Sequence, residues 1–387
     1  MKKIKIYIGL ILILSGITAT SLAQENYKTL AKIDSLKTYP GGKFYPVGKF
    51  ELRSGMKKPK NIILMIGDGM GVAQVFAGLT ANHGHLFLEN FKSVGFSRTQ
   101  SSNRYVTDSA AGGTALSTGT KTYNGAIGVN PDTIAVMTIL EQAEMKGLET
   151  GLVSTSAITH ATPASFIAHQ KDRSMYEEIA ADFLKTDIDV FIGGGYKHFT
   201  ERKDGRNLTT ELKAKGYDVL TDMNEIGLVK TGKLAGLTAP EHNGKAEERG
   251  EMLPMATQTA LNILGKNKKG FFLMIEGSQI DWACHQNNNL FLINEMLDFD
   301  RAIGKALEFA AKDGETLIIV TADHETGGFA LVDGDMKTGR IKGAFATGDH
   351  TGVMVPVFSF GPGADHFTGI MDNTDIPRKI RKLLKLE

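Results

Sequence analysis

The sequence predicts an α/β protein with a central, mostly parallel sheet covered by helices on both faces. Three observations lead there. Apolar runs of strand length recur along the chain, helical patterns separate them, and residues able to do chemistry cluster where the runs end. The runs are "NIILMI", "TGLVST", "DVFIGG", "YDVLTD", "FFLMIE", "TLIIVTA" and "VPVFSF". Continuous apolar strands rather than alternating ones belong to sheets buried on both sides. Between them "TIAVMTILEQAEMKG" and "LINEMLDFDRAIGKALEFAAKDG" carry the spacing of amphipathic helices.

Taken in order, the chain opens on "MKKIKIYIGLILILSGITATSLAQ". A basic head (Lys2, Lys3, Lys5), an apolar stretch over Ile6–Leu14 and small residues at Ser21 and Ala23 are the layout of a signal peptide. Residues 1–23 are therefore expected to be removed. The apolar stretch falls short of the roughly 20 residues of a spanning helix, so no membrane anchor is expected after cleavage, and the product is periplasmic or secreted. The leader carries three lysines and no acid, so a net charge of +1 becomes about −2 without it. That balance offers no basic surface for nucleic acid and no polybasic tail for membranes. Cys284 is the only cysteine, which excludes an internal disulfide. Stability must then come from the core or from bound metal. Residues 24–387 are expected to form one catalytic domain, with a polar, turn-rich lead-in to about residue 60. Residues 196–250, polar and rich in Gly and Lys, read as an excursion over the surface, such as a lid.

The strand ends are the informative positions. "NIILMI" runs into Gly67-Asp68-Gly69, "FFLMI" into Glu276-Gly277, "TLIIVTA" into Asp323-His324-Glu325, and "TGLVSTS" toward Thr159-His160-Ala161-Thr162. Ligands of open α/β sheets bind at the carboxyl ends of the strands. Carboxylates pooled there repel one another unless a cation sits among them. In "MIEGSQIDWACHQNN", Asp281 and His285 stand one helical turn apart and share a face. A carboxylate with an imidazole suits Zn2+. Asp323 and His324 are adjacent and converge only if the chain turns, as the following Thr-Gly-Gly suggests. His350 lies in a second turn, "TGDHTG". Glu325 and Asp349 read as solvated or supporting residues, and the remaining histidines as structural or surface groups. Each of these signals alone has a bland reading: a surface pair on a helix, a loop histidine, a small buried cysteine at Cys284. Together, Asp68, Glu276, Asp281, His285, Asp323, His324 and His350 suffice for two closely spaced metals with a ligand left for a third.

The segment "YVTDSAAGGTALSTGTKTYNG" places Ser109 at a predicted helix start, with no histidine near it in sequence. It reads either as a helix-capping serine or as a nucleophile. A neighbouring cation would lower its hydroxyl pKa without a general base, and a helix N-terminus favours phosphate.

The stretches "IGDGMG", "VTDSAAGGTALSTGTKTYNGAIGV", "THATPASFIAH…R", "EGSQIDWACH", "TADHETGG" and "DHTG" resemble the alkaline phosphatase family, in the family's order, over residues from about 60 to 365. The resemblance implies an alkaline phosphatase-like fold with metals at the carboxyl edge of the sheet. It implies that Ser109 is the nucleophile that becomes phosphoserine, that Arg173 clamps two phosphate oxygens, and that Asp108 orients the arginine. It further implies two Zn2+, one held by Asp281, His285 and His350 and one by Asp68, Asp323 and His324. A third metal, Mg2+, would be held by Asp68, Glu276 and Thr162. His160 and Trp282 stand where some bacterial members carry Asp and Lys. His160 would ligate the third metal or sit just outside it, and Trp282 would weaken phosphate binding by removing a positive charge. The expected substrates are small phosphate monoesters. A phosphodiesterase of the same superfamily, or a non-catalytic protein that binds phosphate or metal, is the alternative. Members are often homodimers, but the sequence marks no interface.

Overall fold

The computed structural model describes residues 38–52 and 58–386. The leader expected over residues 1–23 lies outside the described residues. Ten strands form one sheet, in the spatial order Gly369–Asp372, Ser93–Arg98, Val355–Phe360, Thr316–Thr321, Asn61–Gly67, Phe271–Gly277, Glu149–Ala157, Val190–Gly194, Lys233–Leu237 and Tyr217–Leu220. Val355–Phe360 runs antiparallel to both neighbours. All other pairings in the sheet are parallel.

The central strands show why the apolar runs are continuous. Asn61–Gly67, Phe271–Gly277 and Thr316–Thr321 are buried at every position. Successive side chains point to opposite faces, and each face has its own core. Ile63, Met65, Leu273, Ile275, Ile318 and Val320 enter one; Ile62, Leu64, Ile66, Phe272, Met274, Leu317 and Ile319 enter the other. Each such side chain stabilises the fold by about 1.5–3 kcal/mol when fully buried. The first core is closed by helices Met252–Leu264 and Asn289–Asp313, the second by Ser109–Thr118 and Ile139–Met145 among others.

The helix Asn289–Asp313 matches the predicted one. Asn288 caps it by accepting from the Phe291 N–H, and Gly314, in the left-handed region at φ 74°, ends it. The helix expected from residue 133 instead begins at Ile139, where Thr138 and Glu141 form a capping box. The Asn130 side chain accepts from the N–H groups of Asp132 and Ile134, which closes a turn and takes the preceding residues out of the helix.

Residues 196–250, expected as a surface excursion, contribute to the main sheet. They supply strands Tyr217–Leu220 and Lys233–Leu237, which complete one side of the main sheet, and short helices between them. Their polarity reflects a position at the sheet margin, where one side of the layer is solvated. No helix among the described residues is long and apolar enough to cross a membrane.

Candidate active site and metal centre

The carboxyl ends of the central strands converge as expected. Asp68 follows Asn61–Gly67, Glu276 lies in Phe271–Gly277, and Asp323 and His324 follow Thr316–Thr321. Asp281 and His285 come from the short helix Gln279–His285, and His350 from a two-stranded ribbon, Glu325–Thr326 with His350–Thr351. Gly69 lets the first loop into this crowd. Its φ is +73°, and a Cβ there would lie 2.9 Å from the Asp281 Cα.

Three groups of donor atoms result, each with its atoms within 4.8 Å of one another: Asp281, His324 and His350; Asp68, Asp323 and His324; Asp68, His160 and Glu276. His285 joins the first, its Nε2 3.3 Å from Asp281 Oδ2 and 3.2 Å from His350 Nε2. His160 is thus inside the third group. Two of the three ring orientations in the first group are set from behind by carbonyls. His285 Nδ1 meets the Gly348 carbonyl at 2.6 Å, and His350 Nδ1 meets the Thr107 carbonyl at 2.9 Å. A carbonyl only accepts, so each Nδ1 carries the proton and each Nε2 presents a lone pair to the group.

These donors fit cations. Both oxygens of Asp68 and Oδ2 of Asp323 are buried without a hydrogen-bond partner. Burial, with the charges of Asp323, Asp281 and Glu276, pushes the Asp68 carboxyl well above the usual range. Burial and the charges of Asp281 and Glu276 push Asp323 up to about 8. Burial raises Glu276 to about 7, against hydrogen bonds from Ser278, Thr162 and Ser156. Burial likewise opposes charge on Asp281, yet it is held well below the usual range wherever His285, His350 or His324 takes a second proton. Burial, with His350 beside it, pulls the His324 imidazole well below its ordinary value. Orphaned carboxylates facing lone pairs on neutral imidazoles form a built cation centre.

Ser109 opens the helix Ser109–Thr118, which is buried at all ten positions. Its small residues are a packing requirement: a Cβ on Gly112 would lie 3.0 Å from the Asp323 Cβ, and one on Gly113 3.1 Å from the Ser165 Cβ. The helix thereby brings Ser109 Oγ to 3.2 Å from His324 Nε2. Asp108 caps it, Oδ1 accepting from the Ala111 N–H at 3.0 Å. The other oxygen, Oδ2, accepts from Arg173 Nη1 at 3.1 Å and from the Gly125 N–H at 3.0 Å. Arg173 Nη2 lies 3.3 Å from His160 Nε2. One aspartate therefore aligns the serine-bearing helix and the guanidinium.

Several residues at the site escaped sequence reasoning. Thr326 donates its hydroxyl to Asp281 Oδ1 and lies 3.2 Å from His324 Nδ1. Ser278 donates to Glu276 Oε2 at 2.6 Å, leaving Oε1 for the third group. His242, expected to be remote, packs its ring 4.7 Å from Trp282 and 5.5 Å from His160. Glu325 is buried rather than solvated, and accepts from Gln74 Nε2 at 2.8 Å and from the Phe329 N–H at 3.1 Å. Cys284 is buried on the far side of its helix, 3.7 Å from Gln74 Nε2.

Comparison with known proteins identifies the family. The alkaline phosphatase family profile matches residues 59–339. Alkaline phosphatase 4 of Bacillus subtilis is 36% identical, over 84% of this chain and 89% of its own. The alkaline phosphatase of Escherichia coli K12 is 33% identical, over 86% and 87%. The solved alkaline phosphatase from the Antarctic bacterium TAB5 superposes with a TM-score of 0.80 at 45% identity, covering 86% of this chain and 99% of that one. Two variants of that enzyme, with a histidine replaced by Asp or Glu, hold Mg in the M3 site. The chain belongs to the alkaline phosphatase family and is a phosphomonoesterase.

Proposed function

We propose that phosphate monoesters are cleaved through a covalent phosphoserine on Ser109. The observation that carries this is the meeting of Ser109 Oγ, the Asp108–Arg173 pair and three cation-fit donor groups at one sheet edge. Asp281, His285 and His350 would hold one Zn2+, and Asp68, Asp323 and His324 the other. Asp68, Glu276 and Thr162, with His160, would hold Mg2+. When bound, such cations lower the pKa of hydroxyl and water and neutralise charge on a transferring phosphoryl group. Imidazole is a softer donor than carboxylate, so His160 weakens the preference of the third group for Mg2+.

The side chains divide the remaining work. Ser109 Oγ forms the bond to phosphorus as the P–O bond to the alcohol breaks, and water later cleaves the phosphoserine to free phosphate. The Arg173 guanidinium donates two hydrogen bonds to phosphoryl oxygens, for which its planar fork is suited. Asp108 keeps that fork in register, and the helix start beneath Ser109 favours the anion. The loose transition state of phosphoryl transfer asks mainly for positioning and charge stabilisation. No deep cleft is required to grip the leaving alcohol, which supports broad tolerance among monoesters.

Ser109→Ala is expected to lose at least about a thousandfold in turnover of nitrophenyl phosphate. Elemental analysis should still find two zinc and one magnesium per chain in both proteins, and acid quenching should trap labelled phosphate only on the wild type. Wild-type turnover in the variant would overturn the covalent route, and faster hydrolysis of a bis-nitrophenyl diester than of the monoester would overturn the substrate class.

A further inference from the structure

His169 lies outside the metal centre, yet it is wedged into the segment that holds the phosphate-binding arginine. Its Nδ1 is 2.6 Å from the Gly128 carbonyl, and its Nε2 is 3.0 Å from Glu141 Oε1. A carbonyl and a carboxylate both only accept. Both ring nitrogens must therefore carry protons, and the geometry describes an imidazolium. The approach is built in: Gly128 has φ +58°, and a Cβ there would lie 2.0 Å from the Ala168 carbonyl oxygen and 2.9 Å from His169 Nδ1.

What the ring braces is the Arg173 loop. Ile127 and Gln170 exchange backbone hydrogen bonds at 2.9 Å in both directions, and the Arg173 N–H donates to the Gly125 carbonyl at 2.8 Å. The Gly125 N–H donates in turn to Asp108 Oδ2, the oxygen that also accepts from Arg173 Nη1. The segment from Gly125 to Gly128 is thus pinned at one end by Asp108 and Arg173 and at the other by His169. Charged groups face the ring from two helices. Glu141 comes from Ile139–Met145, and Asp182 comes from Tyr176–Asp182, its Oδ2 accepting from the His169 N–H at 3.1 Å and Gln170 Nε2 at 2.7 Å.

We propose that protonated His169 is a positioning residue for phosphate binding, a charged strut between Gly128 and Glu141 that keeps Asp108 and Arg173 in register. Loss of one proton turns a nitrogen lone pair toward either the Gly128 carbonyl or the Glu141 carboxylate. Either contact is repulsive, and the loop relaxes. The inference rests on the reading of Arg173 as the phosphate clamp. Burial opposes the charge, but Glu141, the Gly128 carbonyl and Asp182 outweigh it and raise the pKa above the ordinary imidazole value, so the strut persists to higher pH than a free imidazole and is lost toward the alkaline side.

The test is inhibition by inorganic phosphate of nitrophenyl phosphate hydrolysis, in metal-loaded protein, from neutral to alkaline pH. His169→Gln keeps one donor and loses the charge. Its Ki at neutral pH should be about tenfold above the wild type, the worth of one charge-assisted hydrogen bond, with kcat changed less. That ratio should shrink toward one as pH rises, because the wild type then loses the same interaction; the titration of phosphate itself cancels in the ratio. In the wild type, the nitrogen NMR shifts of His169 should follow the same midpoint, and Glu141→Gln should move that midpoint down. A neutral His169 at neutral pH, or a Ki ratio of one there or constant with pH, would overturn the strut. Arg173→Ala is the control: an unchanged Ki in it would overturn the clamp reading and the strut with it, whereas a raised Ki beside an unaffected His169→Gln would overturn the strut alone.

Discussion

Thr326 is a residue that no motif would select. Its hydroxyl ties Asp281, on the short helix, to His324, in the turn after a strand, and so fixes how the groups that share His324 are spaced. Partners that orient metal ligands typically carry 10–100-fold of affinity. Thr326→Val, which keeps the shape and removes the hydroxyl, is expected to weaken zinc binding by about tenfold, measured as activity against free Zn2+ in a buffered chelator. The donors themselves were legible in the sequence, because carboxylates and imidazoles at strand ends have few other uses. Thr326, Ser278 and Gln74 were not. Their importance lies in which oxygen or nitrogen they face, and hydroxyls and amides occur everywhere. His242 was misjudged for the same reason: its neighbours Trp282 and His160 are distant in sequence and close only in the fold.

At the scale of elements, the helix Ser109–Thr118 shows how composition serves approach. A helix rich in glycine is intrinsically weak, and this one persists because it is buried throughout. Gly112 faces the Asp323 Cβ and carbonyl oxygen. Gly112→Val should gain helix propensity yet push Asp323 away, costing about 1–3 kcal/mol by overpacking and most of the activity. Thermal unfolding and turnover check the two halves, and an active, stabilised variant would contradict the close-approach argument. All seven apolar runs appear as strands, the central ones because a strand buried on both faces has no other pattern available, whereas Tyr217–Leu220 is a half-exposed edge strand. Three strands of the sheet were missed: Ser93–Arg98, Lys233–Leu237 and Gly369–Asp372. The first and last are substantially exposed, and the second, "KLAGL", is too small and short to stand out. In the same way, the pattern from residue 133 was helical in period, but the local turn at Asn130 outweighed it.

For the whole molecule, the carboxylates at the sheet edge set a relation between metal and stability. Without cations, Asp323 has its pKa raised to about 8, far above the value it has when unfolded. A group raised in this way contributes stability that is fully present below the unfolded pKa and is lost as pH rises through the folded one. Above the ordinary imidazole value, where His324 and His350 are neutral whether folded or unfolded, the chelated protein should therefore lose thermal stability up to about pH 8. Added Zn2+ should restore more of it at the upper end of that range, since a ligand of the folded state stabilises by mass action. Melting curves with and without chelator over this range are the check, and a chelated protein that melts higher as pH rises would contradict it. The same edge has a consequence for chain integrity. The proposed ligands run from Asp68 to His350, on elements far apart along the chain. A chain cut between Asp68 and His350 separates part of the donor set from the rest. Metal capture should therefore report that the whole span from Asp68 to His350 is present and folded together.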